Sequence, residues 1–186
     1  MAGILEQFPS GARVAVIRLR SLGDCVLTTP ALEILKRARP DLSLAVVVEN
    51  RFAAVFEGNP DVDALLPPGG LRGWWPRLCL NLHGGTRSLA LTVGSGARIR
   101  AGFAHYRYSR FYNVRIPTAQ EILGVERKVH TAEHLAAAMF YLGAARAEIP
   151  PAKLFAAAPD RSPYAVLHPA ASAPEKTWPA ERFAAV

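Results

Sequence analysis

The chain has 186 residues, 51% of them hydrophobic and 20% charged, with a formal net charge of +7. That balance excludes an intrinsically disordered chain, and no apolar run approaches the about 18 residues of a membrane-spanning helix. Glu6 and Gln7 stand where a secretory leader would need an apolar core, and Cys25 and Cys79 lack metal-ligand or redox spacing. The expectation is a cytoplasmic protein without a disulfide framework.

In chain order, residues 14–19 are a short apolar run of strand length, rich in β-branched side chains. A turn at Ser21-Leu22-Gly23-Asp24 follows, and Val26, Leu27, Ala31, Leu32, Leu35 and Ala38 then recur at helical spacing. Residues 42–48 read as a buried second strand, 52–56 as a short helix, and 62–66 as a third strand closed by Pro67-Pro68-Gly69-Gly70. Residues 78–82 read as a fourth strand that runs into His83-Gly84-Gly85-Thr86-Arg87-Ser88 and a helix to about residue 93. Residues 99–103 suit a fifth strand, and 104–117 look irregular. Residues 131–142 form a helix with Thr131 as cap and Gly143 as terminator. After a Pro-rich connector, 164–168 read as a fresh strand and a helix starts near Pro179. Strands that alternate with helices and are apolar on both faces predict a doubly wound α/β fold with a parallel sheet.

The charge is unevenly placed. From Ala64 to Gln120 there is no Asp or Glu, while eight arginines and no lysine fall in that window. Arginine's planar fork matches phosphate and carboxylate oxygens, so the window points to an anionic partner: nucleic acid, a phosphorylated ligand or an acidic membrane surface. A plain preference for arginine on a solvated face gives the same composition.

Asp24 follows the first strand, at the strand end where ligands of open α/β sheets bind. A helix N-terminus there favours an ionised carboxylate, as a general base requires and as an ordinary capping aspartate also shows. Gly23 serves either the backbone turn or the approach of a substrate. A dinucleotide-binding fold would need G-x-G-x-x-G here, and the single glycine of R-L-R-S-L-G-D argues against an oxidoreductase, although Glu49 could imitate the ribose-binding acid. His130-Thr131-Ala132-Glu133-His134 spells H-x-x-E-H, a zinc signature without an evident third ligand; a packed helix start explains it as well. Lys176, with Ser172 four residues before it, lies where a lysine and backbone N–H groups can hold a phosphate, or where a surface lysine sits in a loop.

Four stretches together resemble the family 9 glycosyltransferases, the bacterial heptosyltransferases of lipopolysaccharide core synthesis. They are V-I-R-L-R-S-L-G-D-C-V-L-T-T-P-A-L (16–32), V-V-E-N-R-F (47–52) with N-P-D-V-D (59–63), L-N-L-H-G-G-T-R-S (80–88), and V-L-H-P-A-A-S-A-P-E-K-T-W-P-A-E-R-F (166–183). H-T-A-E-H-L-A-A-A-M-F-Y-L-G (130–143) falls where that family has its last N-domain helix. The resemblance implies a GT-B architecture, with an acceptor-side Rossmann-like domain at 1–158 and the start of a nucleotide-sugar domain at 159–186. It implies Asp24 as the base of an inverting transfer without a covalent intermediate, and an acceptor site drawn from Arg18, Ser21, Gly23, His83, Gly84 and Arg87. Lys176 and, by a looser match, Ser172 fall on the donor diphosphate positions. The implied donor is ADP-heptose and the implied acceptor an acidic glycolipid of the lipopolysaccharide core. No cofactor is required, with Mg²⁺ allowed as an assistant, and no nucleic-acid partner is expected. The implied location is the cytoplasm, with peripheral contact at the inner membrane face. A non-catalytic anion- or nucleic-acid-binding domain is the alternative. The family's later Asp-Ser-Gly motif and base pocket have no counterpart in the sequence, so the chain is expected to be truncated and, alone, inactive and weak for ADP.

Overall fold

The computed structural model describes residues 3–155, 163, 165–168, 171 and 173–185. It divides into two compact units, Met1–Ala156 and Ala157–Val186. The first unit is built on six strands: β1 (Arg13–Ile17), β2 (Ser43–Val47), β3 (Ala64–Leu66), β4 (Leu78–Asn81), β5 (Ile99–Phe103) and β6 (Val114–Ile116). All pairs are parallel, in the spatial order β3-β2-β1-β4-β5-β6. The order reverses between β1 and β4, which opens a crevice at the carboxyl ends of those two strands.

Alternation along the strands sends residues to two cores. Val14, Val16, Leu44, Val46, Leu78 and Leu80 join the larger one, with α2 (Thr29–Ala38), α5 (Ala119–Leu123) and α6 (Thr131–Leu142). Ala15, Ile17, Val47 and Cys79 join the smaller one, with Leu71 of α3 (Leu71–Trp74) and Leu91 of α4 (Thr86–Gly94). Because both faces are covered, β4 is buried throughout and β1 and β2 are buried after their first residues. This explains why these strands read as continuous apolar runs.

Several expectations change. The helix expected to run on from Val26 breaks into α1 (Leu22–Val26) and α2. The Thr28 hydroxyl donates to the Asp24 carbonyl and the Thr29 hydroxyl to that of Val26, while Pro30 has no N–H to continue the first ladder. The segment 104–117, read as irregular, contains β6, a three-residue edge strand whose exposed Arg115 guards the edge. The cap of α6 is His130 rather than Thr131: its Nδ1 accepts from Ala132 N at 3.3 Å, and Glu133 accepts from His130 N at 2.7 Å. Glu133 lies three residues past His130, as a capping box requires.

The connector is held onto α2 by buried chemistry. Lys153 Nζ reaches Glu33 Oε2 at 3.0 Å, and Lys153 N donates to Thr29 Oγ1 at 3.0 Å. Glu33 is 6% exposed and also pairs with Arg37, so a buried carboxylate has two cations. In the second unit, residues 165–168 carry no strand assignment, and Tyr164 of the strand expected at 164–168 lies outside the described residues. The described residues of this unit do form a 3-10 turn at Pro174–Lys176 and α7 (Ala180–Ala184), with Trp178 edge-on to Phe183 at 4.8 Å. No helix among the described residues is long and apolar enough to cross a membrane.

One glycine in the sheet is fixed by packing. A Cβ at Gly102 would lie 2.6 Å from the Tyr112 ring, which is 4% exposed and cannot swing into solvent. Gly102→Ala is therefore expected to destabilise the unit by about 1–3 kcal/mol, read as a lower midpoint in urea.

Candidate active site

Asp24 sits in the crevice between β1 and β4, in the first turn of α1. Its Oδ2 accepts from the Ser21 hydroxyl at 3.1 Å and faces Ser21 N at 3.5 Å. The other oxygen, Oδ1, has no hydrogen bond among the described residues. Ser21, not Asp24, is the N-cap of α1, and Asp24 is the third-position partner of its capping box; Ser21 thus orients the carboxylate through Oδ2 and leaves Oδ1 without a bond to it.

Arg18 lies behind it, 5% exposed, with Nε donating to Thr28 Oγ1 at 3.1 Å. Burial lowers its pKa, while Tyr106 and Asp24 act in the opposite direction. Thr28, which also donates to the Asp24 carbonyl at 2.7 Å, therefore ties the buried cation to the helix that carries the acid. Cys25 is walled in beside them, and burial pushes its thiol up to about 11, so it remains a packing residue.

The facing side of the crevice is the loop after β4. Asn81 is fully buried and uses its whole amide: Nδ2 donates to Ser88 Oγ at 3.1 Å and Tyr112 Oη at 2.9 Å, and Oδ1 accepts from His83 N at 3.0 Å and Gly84 N at 3.1 Å. This one side chain sets the curvature of His83-Gly84-Gly85 and ties it to α4 and β5's crossover. Gly84 has φ +75°, and a Cβ there would come within 3.1 Å of Tyr106, so both conformation and contact require glycine. The His83 pKa is lowered by burial and then by Arg18 and Arg20, which favours the neutral ring. Its Nδ1 is buried without a partner among the described residues. Next to Tyr106 lies a cavity of about 200 Å³, lined by Gly85, Thr86, Leu89, Arg107, Tyr108 and Tyr112 as well. The Arg107 and Arg110 guanidiniums stand 5.1 and 5.8 Å from the Tyr108 ring.

A family model described as glycosyltransferase family 9 (heptosyltransferase) matches residues 77–186. The chain belongs to glycosyltransferase family 9. Its fold is that of solved structures carrying this name. A family 9 glycosyl transferase from Veillonella parvula aligns with TM-score 0.74 and 24% identity over 96% of this chain and 60% of its own. E. coli heptosyltransferase WaaC with ADP aligns with TM-score 0.63 and 21% identity, over 75% of this chain and 50% of its own. E. coli ADP-heptose lps heptosyltransferase II aligns with TM-score 0.61 and 14% identity, over 78% and 47%. The chain thus spans about half to 60% of the length of these structures. A comparison with curated proteins returns no match.

Within this family 9 chain the other expected site residues fare differently. Arg87 is exposed and bonded to Glu49 Oε1 at 2.6 Å, and Glu49 also binds Arg51 at 3.1 Å. Glu49 is therefore committed to two arginines rather than offered to a ribose. Lys176 is exposed at the end of the 3-10 turn in the second unit, and α7 begins four residues later with only five residues. Ser172 lies outside the described residues. The H-x-x-E-H pair is a helix start: His130 caps, Glu133 is bonded to Arg127, and His134 stacks on Phe103 with ring centroids 4.0 Å apart. The described residues hold no group of three or more His, Cys, Asp or Glu able to bind a metal.

Gly23 is not required by the turn. It sits in α1 with ordinary backbone angles, and a Cβ there would meet nothing within 4 Å. The other expected role, close approach of a substrate beside Asp24, is tested by substitution. Gly23→Ala is expected to leave the melting temperature equal or slightly higher, since alanine favours the helix by about 0.4–1 kcal/mol. The same substitution should cut transfer by on the order of tenfold or more by displacing the bound hydroxyl. Unchanged turnover would refute the approach.

Sequence reasoning missed Thr28, Asn81 and Tyr106. Asn81 carried a usable signal, as an amide inside the buried run L-C-L-N-L must find partners for four hydrogen bonds.

Proposed function

We propose that the chain is the acceptor-binding part of an inverting sugar transferase, with Asp24 as general base. The observation that carries this is the divided carboxylate of Asp24, one oxygen held by Ser21 and the other open in the crevice at the reversal of strand order. The acceptor hydroxyl gives its proton to Asp24 Oδ1 as its oxygen forms a bond to the anomeric carbon. The bond from that carbon to the diphosphate breaks on the opposite face, and the nucleoside diphosphate leaves with the electron pair. Inversion follows from a single in-line displacement.

The family supports a nucleotide-sugar donor. The E. coli WaaC structures carry ADP or ADP-2-deoxy-2-fluoro heptose, which makes ADP-heptose the first donor to test. Lys176 is the candidate for meeting the leaving diphosphate charge. On the acceptor side, Arg18 and the tyrosine-lined cavity with Arg107 suit an acidic saccharide, since aromatic faces take sugar C–H surfaces and the arginines take carboxylate or phosphate. An acidic glycolipid of the lipopolysaccharide core fits that description. The test is a transfer assay on the whole protein with ADP-heptose and such an acceptor, reading the product anomer by NMR. Inverted product is expected. Retained configuration, or transfer that does not depend on Asp24, would overturn the reading.

A further inference from the structure

Thr28 is the residue at which the acid and the cation of the crevice meet, and its hydroxyl can be oriented in one way. The Asp24 carbonyl can only accept and Arg18 Nε can only donate. The single hydroxyl proton therefore goes to the Asp24 carbonyl at 2.7 Å, and an oxygen lone pair takes Arg18 Nε–H at 3.1 Å. Thr28 is 0% exposed, so bulk water does not compete for either bond. Its backbone is fixed on both sides: Thr28 N donates to the Cys25 carbonyl at 3.1 Å, and the Thr28 carbonyl accepts from Ala31 N at 3.0 Å. The hydroxyl is a fixed point on the break between α1 and α2.

Arg18 is held at its other end by the sheet, where Arg18 N donates to the Val47 carbonyl at 3.0 Å. A guanidinium is planar, so an anchored backbone and a bond at Nε together fix the plane of the two terminal nitrogens. Burial and then Arg18 lower the pKa of His83, and Arg18 opposes the rise that burial imposes on Tyr106. The charge of Arg18 therefore reaches the loops after β4 and β5 as well as Asp24 on α1. A cation shared by three walls of the crevice depends on its direction, and Thr28 supplies that direction.

We propose that Thr28 is a positioning residue for the transfer reaction. Its buried hydroxyl aims the Arg18 guanidinium at the acidic acceptor and tethers that cation to α1, which carries Asp24. Its kinetic consequence rests on the proposed sugar transfer, whereas its hold on Arg18 does not. A threonine that merely filled space would be replaced by valine without kinetic loss, since the two side chains have nearly the same shape.

The experiment pairs two readouts. In nitrogen-correlated NMR spectra of the 186-residue chain, Arg18 Nε–H is expected as a slowly exchanging signal, identified by its loss in Arg18→Lys. Thr28→Val removes both bonds at constant shape and should speed exchange of that signal by roughly tenfold or more. In a transfer assay on the whole protein, with ADP-heptose and an acidic glycolipid acceptor, Thr28→Val should raise acceptor KM by roughly tenfold and leave donor KM unchanged. Thr28→Ser keeps the hydroxyl and should restore both readouts to within about twofold, although it melts lower for want of a buried methyl group. Lysine has no Nε–H to bond, so in an Arg18→Lys background Thr28→Val should add less than about twofold. Should Thr28→Val lose its fold, Thr28→Cys carries the same test, because its thiol fills similar space with a far weaker hydrogen bond. A folded Thr28→Val with wild-type acceptor KM, or Thr28→Ser as impaired as Thr28→Val, would overturn the inference. So would an Nε–H signal that Thr28→Val leaves unchanged, or an undiminished effect of Thr28→Val in the Arg18→Lys background. Transfer that persists in Asp24→Asn would instead refute the base, and the exchange readout would still judge Thr28.

Discussion

Asp24→Asn is expected to lower kcat for sugar transfer by about a hundredfold to ten-thousandfold, the range for losing a positioned general base. The amide keeps an oxygen that accepts from Ser21, so α1 should keep its first turn and the melting temperature should barely move. Donor affinity should also persist, because the substitution removes proton acceptance and little else. The kinetic signature is a fall in kcat with KM nearly unchanged. A turnover within a few-fold of wild type, in a variant shown to be folded, would reassign Asp24 to a purely structural capping-box partner of Ser21.

The second large effect is on stability. Asn81→Ala removes four hydrogen bonds from a fully buried site and leaves the His83 and Gly84 N–H groups without their acceptor. Ser88 keeps its bonds to the Gly84 and Gly85 carbonyls, so its share of the loss is small. Leaving two buried donors unpaired costs about 1–3 kcal/mol each before any water enters, so a net loss of about 3 kcal/mol is reasonable. For a domain of this size that corresponds to a drop of roughly 6–12 °C in Tm. The loop that faces Asp24 would lose its fixed curvature at the same time, so acceptor KM should rise even below the melting range. A Tm within about 1 °C of wild type would show that the amide network contributes little.

The parts legible in the sequence were those set by local pattern. Residues 99–103 and 131–142 were expected to form a strand and a helix and do so with the same bounds, because side chains alternating or recurring on one face carry their own instruction. The position of Asp24 after the first strand was legible for the same reason, whereas the family-bearing stretches were read from their resemblance to known members. What escaped reading depended on partners distant in sequence. Asn81 meets Tyr112 across 31 residues and Lys153 meets Glu33 across 120, and no spacing rule connects them. The break between α1 and α2 was missed although Thr28, Thr29 and Pro30 are adjacent, because the apolar periodicity on either side continues through it. The α6 cap was misplaced by one residue because Thr131 is the commoner cap, whereas the Glu133 spacing selects His130. Of the two roles expected for Gly23, the turn is one that its backbone does not need.

The burial of Arg18 has a consequence for the thermodynamics of the whole unit. A guanidinium has five N–H donors, and here one of them, Nε, has a side-chain partner among the described residues. The crevice thus holds a largely buried cation close to Asp24. An acidic ligand that reaches it completes that cation only in the folded state, so binding and folding share one free energy. Under the proposed function, the apparent stability of the unit is expected to rise logarithmically with acceptor concentration, and a thermal shift then doubles as a binding isotherm.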